Sequence, residues 1–480
     1  SEMCIRDRAK TLTLEWVGLF PGKRESRRFN GLYTLTQQDV INQSTHYDAV
    51  AYGGWAIDLH PADGVYAGGN GCHQWHSKGV YQIPYRCYVT PDLDNLFVGG
   101  RIISSSHVAN GTTRVMCTSA LSGEVIGRAA SICLSKGYRP IDLVDRDRIG
   151  LLQSLLVKNG NFIPGIAVAV EDNLADSAEI SVSSVLELDD LPADGTWFGL
   201  DYPIAQLIPV NGKVPVVRMN VKADNATRLV MELRSSSKSE NYTPDTIDAV
   251  LEFDLKKDEN EIVADFSYSY ATPRYAFICL MKNPEISVPM SGRLVTGLTA
   301  VYNYINPAVS NFGKQVPPEG IGVEEFEFWC PKRRPESKNI AMSFAPPLAS
   351  FNSENLRNSY YRPYIGTNAW IAAFDDARPE VCFKWNGRKQ IKTIILYFDT
   401  DTDQAMETVQ MGHFDACVPT CYREYIVRDS VGKELYHITG NHQTLNVLEL
   451  DQPVMTDAIY VNFVRPCGDV CPGLMGVYVC

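Results

Sequence analysis

The chain has 480 residues, 45% hydrophobic and 21% charged, an ordinary composition for a folded protein and enough length for about three domains. A formal net charge of −12 argues against a nucleic-acid backbone as partner. No apolar run approaches the ~20 residues that a membrane-spanning helix needs.

The first residues, Ser1-Glu2-Met3-Cys4-Ile5-Arg6-Asp7, are what the genetic code yields from TCG GAG ATG TGT ATA AGA GAC. That DNA resembles the end of a transposase adaptor used to prepare sequencing libraries, with Arg8 completing it. Residues 1–8 are therefore expected to be a foreign scar, excluded from fold reasoning, and the natural chain to begin upstream of Ala9.

Residues 9–165 read as mixed α/β. Thr36-Gln-Gln-Asp39 has the form of a capping box opening a short helix. Leu96-Phe97-Val98 is a short apolar run suited to a buried strand, ended by Gly99-Gly100. Thr112 or Thr113 is placed to cap a long helix from about Arg114 to Ser135, which Gly137 and Pro140 stop. That helix is rich in small residues, among them Ser119, Ala120, Gly123 and Gly127, so another backbone can approach it closely. A second helix from about Leu143 to Lys158 carries Ile149, Leu152, Leu155 and Leu156 at helical spacing.

Beyond Asn159 the texture changes to short alternating runs separated by Pro, Gly, Asn and Asp. Ile180–Val185, Val214–Val221, Leu229–Leu233, Ala249–Leu255, Ala276–Leu280 and Arg293–Leu298 are strand candidates. A Pro/Gly-rich stretch from Gln315 to Gly322 and the basic run Lys332–Pro335 bracket a boundary. Ile391–Phe398, Arg423–Val427, Leu445–Leu450 and Ala458–Phe463 continue the pattern. Asn173–Ser184 and Asn339–Ala345 open the two β segments alike, as copies of one module would. The expected fold is multidomain, a mixed α/β domain (9–165) followed by two antiparallel β-sandwiches of jelly-roll type at 175–325 and 335–480.

Pro21–Arg28, Ala51–His60, Gln82–Arg86, Asn95–Ser104 and His107–Met116 look like successive motifs of the FAD-dependent oxidoreductases related to the flavoprotein subunit of heterodisulfide reductase, over about residues 14–165. This resemblance makes the α/β domain a partial FAD-binding domain. The resemblance implies that Gly99, Gly100 and Arg101 close an FAD site, with Thr112, Thr113, Arg114 and Met116 setting a helix N-terminus against the isoalloxazine. It makes His107 the first candidate for proton transfer and His60, with Asp58, the second. Arg86 is a further catalytic candidate, and Arg24, Glu25, Arg27 and Arg28 are candidates to hold an anionic or polar substrate, each with a plain structural role as the alternative.

This sequence departs from the family in one respect: no strand–Gly-x-Gly-x-x-Gly–helix unit occurs in it. FAD is thus expected in a full-length parent and this chain to be inactive alone. No Cys-x2-Cys-x2-Cys run supports the iron–sulfur cluster that some relatives carry.

Cys417-Val-Pro-Thr-Cys421 and Cys467-Gly-Asp-Val-Cys471 suit two disulfides in an exported or periplasmic parent ahead of a structural zinc site, with free thiols as the third alternative. The segment around them resembles discoidin-like sandwiches through Asn368-Ala-Trp370, Ile391–Asp399 and the Thr456-Asp457 turn. Trp370, Tyr360, Tyr361 and Tyr364 either stack on a sugar or serve as core and interface. The leading function is hydride transfer between flavin and a small organic or sugar-like substrate; the rival is a carbohydrate-binding or docking protein without flavin chemistry.

Overall fold

In the computed structural model the described residues are 27–61, 72–167, 172–304, 325–331, 338–400 and 418–480, with the backbone of 313–315 and a few isolated positions before 72. The adaptor-like residues 1–8, Arg24, Glu25 and Cys417 lie outside them.

Thr36 and Asp39 form the expected capping box at helix α1 (Gln37–Ile41), the Asp39 N–H donating to the Thr36 hydroxyl and the Thr36 N–H to the Asp39 carboxylate. Four short strands follow: β1 (Ala49–Gly53), β2 (Ile57–Leu59), β3 (His73–Trp75) and β4 (Tyr81–Pro84). β1 pairs with β4 and β2 with β3, both antiparallel. Leu96–Val98 contributes only an isolated bridge between Phe97 and Val89, not a strand. The chain turns there at Gly100, whose φ is +66°, into a 3-10 turn over Gly100–Ile102.

Helix α2 (His107–Thr113) is capped by Ser106. Helix α3 (Met116–Lys136) follows after Arg114 and Val115, and Gly137 ends it in the left-handed conformation as expected. Thr112 and Thr113 therefore close α2 instead of capping α3. The extended Val115, with no side-chain oxygen, stands at the N-cap of α3, which has no side-chain cap. Helix α4 (Arg146–Lys158) is capped by Asp145.

Every strand pair among the described residues of the remaining chain is antiparallel. The first sandwich faces a six-stranded sheet, ordered 246–255, 227–235, 269–280, 204–213, 300–302, 330–331, against a seven-stranded sheet centred on 216–223. In the C-terminal sandwich two long strands, Glu380–Tyr397 and Leu445–Pro466, pair as 380–384 with 458–462 and again as 393–397 with 445–449. Register shifts between the two ladders bend them, and the core beneath includes Trp370, Phe383, Trp385, Tyr425 and Phe463.

Two expectations are corrected here. Arg293–Leu298 is a loop between strands Asn283–Ser291 and Ala300–Tyr302, and it is held by the Thr296 hydroxyl donating to Asp399 (2.6 Å). The boundaries at 175–325 and 335–480 do not follow the pairing either. Glu179–Val182 joins the C-terminal sandwich on strand 380–397, while Asn339–Ile340 and Met342–Leu348 join the first. The two similar openings are thus exchanged, each strand completing the sheet that its own sequence neighbours do not build.

The α/β unit packs on both sandwiches. The Gln43 and Asn241 side-chain amides exchange two buried hydrogen bonds (2.8 and 2.9 Å). His76 stacks on Phe328 at 4.1 Å, and the Tyr397 hydroxyl donates to the Lys158 carbonyl (2.5 Å). Among the described residues no helix is long and apolar enough to cross a membrane.

Candidate functional site

Gly111 decides how close helix α2 lies to strand β2. A Cβ there would stand 3.0 Å from the Asp58 carbonyl oxygen and 3.2 Å from its nitrogen, so a side chain would push the helix a few tenths of an ångström off the strand. That contact carries the C-terminal end of α2 to Asp58. The Arg114 guanidinium donates to the Asp58 carbonyl (3.1 Å) and lies 3.6 Å from its carboxylate. His60 Nε2 approaches the same carboxylate at 3.4 Å. Cys72 is the fourth member: burial, then the Asp58 charge and a hydrogen bond to it, push its thiol pKa up.

Two polar atoms in this region have no partner. Asp58 Oδ1 and Thr113 Oγ1 are buried without a hydrogen bond. Buried orphans are uncommon in folded proteins. The neighbouring Thr112 is satisfied, its hydroxyl meeting the Trp55 carbonyl (2.5 Å) and the Tyr81 hydroxyl (2.9 Å). Beyond Arg114, the uncapped start of α3 leaves its first N–H groups and the positive end of a 21-residue helix unanswered by any side chain. Met116 stands there 88% exposed. Along α3, a Cβ at Gly123 or Gly127 would meet nothing within 4 Å, so that face of the helix is open.

The structure therefore gathers Thr112, Thr113, Arg114 and Met116 at one helix junction and adds Asp58 and His60. Gly99 and Gly100 lie against α3, where a Cβ on Gly99 would meet Ile126 at 2.4 Å. The exposed Arg101 is linked to α2 through its carbonyl, which accepts from Asn110 (3.1 Å).

Other candidates fall elsewhere. His107 is the exposed first residue of α2, about 10 Å along the helix axis from Arg114 at 1.5 Å per residue. Arg86 is bound bidentately to the fully buried Asp48 (3.0 and 3.1 Å) and flanked by the Tyr33 and Tyr47 rings, which makes it a structural residue. Arg28 donates to the Ser105 carbonyl (2.8 Å), and Arg27 is exposed. The Asp58–Cys72 contact was not anticipated, and nothing local in the sequence marks it.

Of the two late Cys-x3-Cys pairs, the first includes Cys417, which lies outside the described residues. Cys471 carries a free thiol, pushed up to about 12 chiefly by burial, so no bridge joins it to Cys467. Cys467 instead lies beside Cys421, donating its N–H to the Cys421 carbonyl (2.9 Å). Among the described residues no group of three or more His, Cys, Asp or Glu is arranged to hold a metal ion. Trp370 is fully buried and donates to the Ser184 carbonyl (2.9 Å), a core position that excludes stacking on a ligand.

Residues 6–156 match the family model of FAD dependent oxidoreductases. No curated protein matches the chain. Among solved structures it is similar to chitosan-binding module 1 of a chitosanase/glucanase from Paenibacillus sp. IK-5, with 9% identity over 28% of this chain and 86% of that one and a TM-score of 0.21. The family 32 carbohydrate-binding module of Streptococcus pneumoniae EndoD gives 10% identity over 27% and 86%, with a TM-score of 0.22. The N-terminal segment of this chain, about a third of its length, is thus similar to the FAD-dependent oxidoreductase family.

Proposed function

We propose that the α/β unit is the flavin-facing part of an FAD-dependent oxidoreductase of the kind related to the heterodisulfide reductase flavoprotein, acting on a small organic substrate. The family match over residues 6–156 carries this reading. The local chemistry fits it on one side: an uncapped helix N-terminus, an exposed Met116 and a buried Thr113 hydroxyl without a partner suit a flat, carbonyl-rich ring. Thr113, Arg114 and Met116 would hold that ring, and FAD would supply the hydride chemistry.

The chain's own part is orientation and proton handling. Arg114 fixes the Asp58 carboxylate, and Asp58 orients the His60 imidazole through Nε2, the group proposed to pass a proton. His60 replaces His107 as the first candidate because it shares a carboxylate with Arg114. We further propose that these 480 residues bind FAD weakly, since no Gly-x-Gly-x-x-Gly cradle for the pyrophosphate occurs in the sequence.

Titration of the purified chain with FAD and with riboflavin, followed by flavin fluorescence, tests both statements. Weak binding of similar strength for the two ligands, reduced by Arg114→Ala, supports a ring-only site. Much tighter FAD binding would show a pyrophosphate cradle and overturn the second statement alone. Absence of binding by either flavin would sink the first.

A further inference from the structure

A cleft of about 250 Å³ lies where the α/β unit meets the C-terminal sandwich. Tyr52 of β1 and Asn161-Phe162, just past α4, form one wall; Tyr360, Tyr361 and Arg362 form the other. The volume sits just below the ~300–1,000 Å³ range of small-molecule sites, which suits one ring better than a chain.

The walls are rigid. Phe162 meets Tyr52 edge-on at 5.8 Å and Tyr360 at 6.5 Å, and the Arg362 guanidinium lies 5.3 Å from its centroid. Tyr361 is stacked on Tyr397 at 3.6 Å, and Tyr397 is itself anchored to the Lys158 carbonyl. The polar tips are different. Among the described residues the Tyr52 and Tyr360 hydroxyls have no hydrogen-bond partner, and Asn161 Nδ2 is buried without one. Burial, then the nearby Glu240 carboxylate, raises the Tyr360 phenol, so it stays a neutral O–H donor.

Aromatic faces beside unused O–H and N–H groups match a molecule that is apolar on its ring face and hydroxylated around its edge. The negative face of an aromatic ring accepts the slightly positive C–H groups of such a ring, and hydroxyls answer the tips. We propose that this cleft binds a neutral hexopyranose, with Tyr52, Tyr360 and Asn161 as its hydrogen-bonding residues. The site needs both the α/β unit and the sandwich, which gives their fusion a binding role. It does not rest on the flavin reading, since no flavin takes part.

The test is calorimetric titration of the full chain, without flavin, with D-glucose, D-galactose and N-acetyl-D-glucosamine in turn, and with cyclohexanol as an apolar ring of similar size. Saturable binding of at least one sugar is expected, weakened roughly 3–10-fold by Tyr360→Phe and by Asn161→Ala, the loss of one hydrogen bond each. Tyr360→Phe keeps the ring packing, so an unchanged melting temperature separates lost binding from misfolding. Trp197→Ala, in a groove on the first sandwich, should leave binding unchanged. Three results overturn the proposal: no sugar binding, binding indifferent to both cleft variants, or cyclohexanol binding as tightly as the sugars.

Discussion

The α/β unit and the C-terminal sandwich solve the same problem in opposite ways. The sandwich satisfies its backbone with long ladders, up to 22 residues in one strand, and fills the space between with apolar side chains. The α/β unit has strands of three to five residues and turns to buried polar side chains instead. Gln153 donates to the Tyr47 and Ala49 carbonyls (3.0 and 2.9 Å), Tyr85 to the Pro140 carbonyl (2.8 Å), and Gln82 to the Pro164 carbonyl (2.6 Å). Where ladders are short, side chains must complete the accounting of backbone groups, and that frame leaves Asp58 Oδ1 and Thr113 Oγ1 buried without a hydrogen bond.

If the contrast holds, the α/β unit should break at a polar residue. Asp48→Ala leaves Arg86 largely buried without its carboxylate, and loss of one partner of a buried pair costs about 3–5 kcal/mol. Asp48→Ala/Arg86→Ala should recover part of that loss, since no uncompensated charge remains. Denaturant unfolding with each variant checks this; a double variant no better than the single would remove the charge argument. The sandwich should break at an apolar one. Trp370→Ala is expected to cost about 3–5 kcal/mol, and hydrogen exchange should rise first in strands 380–397 and 445–466. Earlier loosening of α3 and α4 would show that the two regions do not differ as argued.

The join between regions has its own signature. His76 is buried against Phe328 of the first sandwich, and burial pushes its pKa down from 6.5 to about 3. The unfolded chain therefore takes up this proton before the folded chain does. Stability is complete above pH 6.5 and falls as pH drops toward 3, by about 1.4 kcal/mol per unit, or about 2 kcal/mol at pH 5. Melting temperatures of wild type and His76→Phe at pH 7 and pH 5 measure it. The variant should lose less on acidification, and equal losses would exclude His76 as the source.

Local signals were legible in the sequence where the cause is local. The capping box at Thr36–Asp39, the stop at Gly137 and the alternation of Leu229–Leu233 each depend on a few neighbouring residues, and each is found in place. The exchanged strands were not legible, because Ile180 and Val182 alternate equally well in either sheet, and the partner that decides lies 200 residues away at Val381 and Phe383. The site was half legible. The residues of α2 and the start of α3 were proposed by resemblance, but splitting the run into two helices put His107 at the far end of α2 and Arg114 on Asp58, 56 residues back.

The smallest effect bears on the α/β unit's dependence on single polar contacts. Thr36 both caps α1 and donates its hydroxyl to Asp39 (2.8 Å). Burial works to raise the Asp39 carboxyl, but hydrogen bonds from the Thr36 N–H, the Thr36 hydroxyl and the Tyr33 hydroxyl outweigh it and hold the pKa below 3.8. A carboxyl depressed in the folded state adds stability above its unfolded pKa, and that stability is lost as pH falls through the folded value. Thr36→Ala should therefore cost about 1 kcal/mol at pH 7, the usual worth of an N-cap. The gap between variant and wild type should narrow as pH falls below 3.8, because the wild type then loses the hydroxyl–carboxylate bond that the variant already lacks. Thr36→Ser keeps the hydroxyl and should behave as wild type. A serine variant as weak as the alanine one would show that the threonine methyl, not the polar contact, secures this helix, and the contrast between the two regions would fail at its simplest point.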